Sequence, residues 1–139
     1  MTDSPFAPIE DAIEAIRRGH MVVVVDDEDR ENEGDLIMAA DAATPEALAF
    51  VIRHTSGVVC VAITGDDADR LDLPLMVEQN TESMGTAFTT TVDLVHGTTT
   101  GISAADRAAT IRALADPSTG PSDLARPGHV FPLRDRKST

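Results

Sequence analysis

Stretches of helical hydrophobic spacing alternate with strand-like runs along this chain, and the alternation predicts an α/β fold. After a loose start over residues 1–7, Pro8 stands where a first helical turn tolerates a missing N–H. Ile9, Ala12, Ile13 and Ile16 follow at helical spacing. Arg17 and Arg18 suit the carboxyl end of that helix, and Gly19 its cap. Residues 20–25 predict a strand, apolar enough to be covered on both faces, and residues 36–40 a second one. Thr44, Pro45 and Glu46 open another helix, with a capping hydroxyl, a proline at its first position and an acid in its first turn. Ala47, Leu48, Val51 and Ile52 form its buried face, and Gly57 ends it. Residues 58–64 predict a strand with Cys60 in its middle, followed by a short helix and turn over residues 65–74.

In the second half, residues 75–77 lead into a polar loop at 78–85. Residues 86–94 alternate as a half-buried strand, with Phe88 and Val92 opposed to Thr89 and Thr91. After a turn at His96 and Gly97, residues 98–103 run into a helix. Ser103 and Asp106 have the spacing of a capping box, and Ala104, Ala108, Ile111 and Ala115 continue the helical face to a stop at Asp116-Pro117. Hydroxyls and a glycine before a helix amino terminus suit a phosphate. A merely well-capped helix explains the same residues. Residues 117–128 hold three prolines and predict a loop that ends in a Pro-Gly turn carrying His129.

The punctuation that stands out is the run from Asp26 to Asp35, DDEDRENEGD, with seven carboxylates and one arginine in ten residues. Like charges about 6 Å apart repel by roughly 3 kcal/mol at an effective dielectric of 20, and by under about 1 kcal/mol in water. Such a run is either solvated or neutralised by a cation. A calcium loop starting at Asp29 fails, because Ala40 stands where the bidentate acid belongs. Hard oxygen ligands with one arginine, at the carboxyl end of a strand, suit a magnesium-type cation and a phosphorylated substrate. His129 is a candidate acid or base near neutral pH. A strand cysteine such as Cys60 is, taken alone, more often a small buried hydrophobe.

Composition narrows the class. With 139 residues and 42% hydrophobic content, the chain suffices for one folded domain. Four Phe and no Tyr or Trp leave the core to aliphatic side chains. A net charge of −13 argues against a nucleic-acid partner. One cysteine excludes an internal disulfide and fits a reducing compartment. The expectation is a cytoplasmic protein, because no run is long and apolar enough to enter a membrane and no signal pattern is present.

Four segments in order carry a family resemblance: DDEDRENEGD; RHTSG (residues 53–57) with Cys60; GISAADR (101–107); and RPGHVFPLR (126–134). Together they resemble 3,4-dihydroxy-2-butanone 4-phosphate synthase of riboflavin biosynthesis, from the first helix to Arg134. The resemblance implies a three-layer α/β/α sandwich around a mixed sheet. It implies a lyase that converts D-ribulose 5-phosphate to 3,4-dihydroxy-2-butanone 4-phosphate and formate, using Mg2+ or Mn2+ as a homodimer. It makes Glu31 a metal ligand and substrate contact, Arg30 and Asp35 substrate contacts, His129 an essential acid-base residue, and places Cys60 close to the site. It also implies that family members continue past RPGHVFPLR into an Arg-x-Gly-His-Thr-Glu segment with a second metal ligand and the phosphate cradle. On that expectation the chain carries one half of the site, and the carboxyl-terminal part of the family domain lies outside it. Two other readings remain open: a non-catalytic paralogue that binds metal or pairs with a complete subunit, and an unrelated metal-dependent sugar-phosphate enzyme.

Overall fold

A computed structural model describes residues 4–136 of the chain; residues 1–3 of the loose start, and 137–139, lie outside the described residues. Helix α1 spans Ile9–Arg17, after Pro8 as its N-cap. Strands β1 (Val22–Val25) and β2 (Gly34–Ile37) form an antiparallel two-stranded ribbon around the acidic loop, with Val25 opposite Gly34. Helix α2 (Pro45–His54) begins where Thr44 Oγ1 accepts from Ala47 N at 3.1 Å. Strand β3 (Cys60–Ile63) is followed by helix α3 (Gly65–Arg70), capped by Thr64. Strand β4 (Val92–Leu94), helix α4 (Ala104–Ala115) and the long strand β5 (Leu124–Arg134) complete the chain.

The second sheet has the order β3-β5-β4, with β3 parallel and β4 antiparallel to β5. This is the mixed sheet expected of the α/β class. One face of it is dry: Val61, Ile63, Val92, Leu124 and Val130 pack with Ala108, Ile111 and Leu114 of α4 and Leu48 of α2. The alternate residues of the same strands, Cys60, Ala62 and His129, stay exposed. A strand's period of two residues thus puts two of the candidate site residues on one open face.

Four expectations need correction. The valine run is not covered on both faces: Val23 is 67% exposed, and Val24 and Val25 are exposed too. An apolar run states that a surface needs cover, whereas what lies over it is a tertiary matter. Here β1 pairs on one edge with β2 and is touched by α1. The strand expected at 36–40 starts earlier, so Asp35 is a strand residue facing Val24 rather than a loop residue. Residues 86–94 are not one alternating strand. Thr89 is fully buried, its hydroxyl donating to Pro132 O at 2.9 Å, and regular pairing begins only at Val92. Finally, residues 117–128 are not all loop, and His129 does not sit in a turn. Leu124 to Arg134 is one strand, and a ladder irregularity, with Val92 opposite Val130 but Asp93 opposite Ala125, absorbs Arg126 to His129. A bulge is where a sheet tolerates a proline without a ladder donor and can re-aim a side chain.

Candidate functional site

Asp26, the first residue past β1, turns the acidic run into a folded loop. Its Oδ1 accepts from Glu33 N–H at 2.9 Å, and its Oδ2 from Glu31 N–H at 3.0 Å and from Arg30 Nη1 at 2.9 Å. The Glu33 amide above all, with the Glu31 amide and the Arg30 guanidinium, holds the Asp26 carboxyl below its ordinary range. Arg30 also pairs with Glu31 Oε1 at 3.2 Å. One of the seven carboxylates is therefore scaffold, and the single arginine is engaged by two carboxylates of its own loop, Asp26 and Glu31. Among the described residues, no three His, Cys, Asp or Glu side chains converge as a metal cluster. Glu31 offers an exposed hard-oxygen donor, which fits a magnesium-type ion that fills most of its shell with water.

Asp35 meets Cys60. Partial burial pushes the Cys60 thiol up from its usual value, and the Asp35 charge pushes it the same way. Cys60 thus stands as a protonated thiol, able to give a proton and poorly suited to attack as thiolate.

His129 is built by its neighbours in the bulge. The extra residues of β5 leave backbone N–H groups without ladder partners, and side chains of the preceding strand region satisfy them. Gly128 N donates to Thr91 Oγ1 at 3.0 Å, and His129 N to Asp93 Oδ1 at 2.8 Å. The other oxygen of the same carboxylate, Asp93 Oδ2, lies 2.8 Å from His129 Nδ1. A carboxylate only accepts, so Nδ1 carries the proton, and in the neutral ring Nε2 is the acceptor. Gly128 makes this approach possible, because a Cβ there would fall 2.0 Å from the carbonyl carbon of Val92. Asp93 is the residue that sequence reasoning missed. Its alternation within residues 86–94 marked a strand, but nothing local marked it as the partner of a histidine 36 positions away.

The phosphate reading of residues 98–103 meets a carboxylate already in place. Asp106 Oδ2 accepts from Thr99 N at 3.0 Å, Thr99 Oγ1 at 2.9 Å and Gly101 N at 2.9 Å. Those donors are used internally, as in a well-capped helix start. The arginines of RPGHVFPLR are likewise engaged: Arg126 donates to the carbonyls of Leu71, Asp72 and Pro121, and Arg134 Nη1 pairs with Asp69 at 2.7 Å. Cys60 and His129 share one sheet face, and Asp35 acts on Cys60. Among the described residues, no hydrogen bond or ion pair joins Arg30 or Glu31 to either of them.

Known proteins are similar to this chain over most of its length. A 3,4-dihydroxy-2-butanone 4-phosphate synthase of Agrobacterium fabrum is 65% identical over 128 residues, covering 92% of this chain and 60% of that protein. A bifunctional riboflavin biosynthesis protein of Arabidopsis thaliana is 62% identical over 134 residues, covering 95% of this chain and 25% of its own length. A crystal structure of 3,4-dihydroxy-2-butanone 4-phosphate synthase in complex with two magnesium ions superimposes with a TM-score of 0.92 at 53% identity. It covers 94% of this chain and 61% of that one. The chain therefore spans about three fifths or less of the length of these relatives. The family's own sequence model aligns with residues 10–139, a stretch that takes in the acidic loop, the Cys60 strand, the capped helix and the His129 bulge, and the chain belongs to the 3,4-dihydroxy-2-butanone 4-phosphate synthase family.

Proposed function

We propose that this chain converts D-ribulose 5-phosphate to 3,4-dihydroxy-2-butanone 4-phosphate and formate, with Mg2+ or Mn2+, as a homodimer in the cytoplasm. The single observation that carries the reading is the Asp93–His129 pair, set on an open sheet face beside Cys60 within a chain of this family. The reaction splits five carbons into four and one without an external oxidant. What it demands is proton movement beside a carbonyl, loss of water and a skeletal rearrangement.

The residues supply those demands in separate roles. His129 Nε2, the ring nitrogen that Asp93 leaves free, takes a proton from carbon or returns one to oxygen, while Asp93 holds the ring orientation. Cys60 serves as a neutral proton donor, kept neutral by its partial burial and, in the same direction, by the Asp35 charge. Arg30 and Asp35 bind substrate oxygens, the arginine exchanging its loop contacts for the anionic sugar phosphate. Glu31 would hold the divalent ion, whose chemistry when bound is Lewis-acid polarisation of adjacent oxygens.

The deciding experiment is formate release from D-ribulose 5-phosphate. His129→Asn is expected to abolish it while leaving the circular dichroism spectrum and metal binding unchanged. Substantial turnover by the variant would reduce His129 to a structural residue. A second reading, a non-catalytic chain that binds metal or pairs with a complete subunit, draws support from the exposed apolar residues Val23, Val24, Val25 and Ile37. It would be favoured by no formate from the purified chain together with recovery of activity on mixing with a longer relative.

A further inference from the structure

The Asp93 carboxylate that orients His129 is itself backed by a wall of main chain. Gly101, at φ +88°, approaches so closely that a Cβ there would lie 2.1 Å from Asp93 Oδ2 and 2.3 Å from its carboxyl carbon. That oxygen is the one facing His129 Nδ1. The wall does not stand by ladder bonds, since residues 98–103 belong to no strand. It stands because one oxygen of Asp106 gathers Thr99 N, Thr99 Oγ1 and Gly101 N, all within 3.0 Å. Asp106 is fixed in turn, as the buried first-turn residue of α4 whose N–H donates to Ser103 Oγ at 3.0 Å. Pulling three donors onto one oxygen also draws the Asp106 carboxyl below its ordinary range, chiefly through the Thr99 and Gly101 amides.

We propose that Asp106 is a positioning residue for His129. It holds the Thr99–Gly101 turn against Asp93, confines the Asp93 carboxylate to the rotamer that spans His129 N and Nδ1, and so keeps the imidazole in the Nδ1–H form. The proposal rests on the reading of His129 as the proton-moving group. Its physical part, the tautomer, is independent of any reaction. Carboxylate rotation about its sp2–sp3 torsion is soft, with a broad profile. Without a wall, the Asp93 oxygens are free to swing off the ring, and the neutral imidazole then distributes between its two tautomers.

The test uses the full chain with 15N-labelled histidine, the His129 ring signals being identified by their loss in His129→Asn. At a pH where the ring is neutral, wild-type Nδ1 is expected to appear as a protonated ring nitrogen and Nε2 as an unprotonated one, with no substrate or metal present. Asp106→Ala should bring the two signals towards each other, as both tautomers become populated. Thr99→Val, which removes one of the three bonds and leaves shape intact, should do so to a smaller extent. Leu48→Ala, a core variant that lowers the melting temperature from a site in α2, should leave the ring signals where they are. If turnover is measurable, kcat should fall on the order of tenfold or more in Asp106→Ala, with KM within about a factor of two. Should Asp106→Ala fail to fold, Thr99→Val decides. The proposal is overturned by an Nε2–H ring in the wild type, by unchanged ring signals in the folded variants, or by an equal change in Leu48→Ala. Absence of formate from every variant and the wild type would instead remove the functional reading and leave the tautomer result to judge the positioning role.

Discussion

Gly128→Ala is a sharp probe of the bulge that presents His129. The backbone at Gly128 is not in the left-handed region, so the substitution tests space alone. The added Cβ would meet Val92 C at 2.0 Å, Asp93 N at 2.3 Å and Val92 O at 2.4 Å, all main-chain atoms that have no rotamer to change. Ordinary contact starts at 3.4 Å, so β4 and β5 must part locally by the difference, 3.4 − 2.0 = 1.4 Å. That separation takes the Gly128–Thr91 bond of 3.0 Å and the His129–Asp93 bond of 2.8 Å past bonding distance. Overpacking of this kind costs about 1–3 kcal/mol. Two lost hydrogen bonds add about 1 kcal/mol each. The sum is about 3–5 kcal/mol, or a fall in melting temperature of about 10–15 °C for a chain of this length. Gly97→Ala is the control. Gly97 has φ +74° with nothing within 4 Å of an added Cβ. It should cost only the left-handed penalty of about 1 kcal/mol, near 3 °C. Reversible thermal unfolding followed by circular dichroism measures both. If Gly128→Ala melts within about 4 °C of the wild type, or no lower than Gly97→Ala, the close approach of β4 to β5 is wrong and the Asp93–His129 geometry falls with it.

Further outcomes follow from other parts of the chain. Mg2+ or Mn2+ should raise the melting temperature, and Glu31→Gln should remove most of the rise; an equal rise in the variant would place the ion elsewhere. Cys60 should alkylate slowly with iodoacetamide near neutral pH, and Asp35→Asn should move the rate profile to lower pH, because the carboxylate opposes thiolate formation; an unmoved profile would separate the two residues. Glu82 accepts from Thr86 N at 2.7 Å and Met84 N at 3.0 Å, and these bonds, the Thr86 amide first, lower its carboxyl from 4.5 to about 2. A depressed carboxyl stabilises above its unfolded value, so the order of residues 82–86 should persist above pH 4.5 and be lost as pH falls towards 2. Amide exchange at Met84 and Thr86 reads this directly, and Glu82→Gln should abolish the pH dependence.

Local chemistry made much of this protein legible from its sequence. Thr44-Pro45-Glu46 and Ser103 with Asp106 are capping patterns whose bonds lie within three or four residues, and both helices begin where those patterns stand. Helix α1 and strand β3 follow from apolar spacing, and the four ordered motifs pointed to the family that residues 10–139 match. The acidic loop was visible as a cluster of charge. Its internal division was not, because Asp26 becomes scaffold only when the chain folds back to bring the Glu31 and Glu33 amides to it.

What tertiary structure alone decided is set by contacts between distant residues. A hydrophobic pattern says which side of a strand avoids water, without naming the surface that covers it. Val23 to Val25 accordingly read as an inner strand, yet stand on a two-stranded ribbon. Composition marked residues 117–128 as loop, since proline and glycine weaken a ladder. Thr91 and Asp93, 36 or 37 positions earlier in the chain, supply the missing acceptors and let β5 run through. His129 was therefore recognisable as a reactive residue type, while its orientation and its protonated nitrogen depend on a carboxylate that only the folded sheet brings within 2.8 Å.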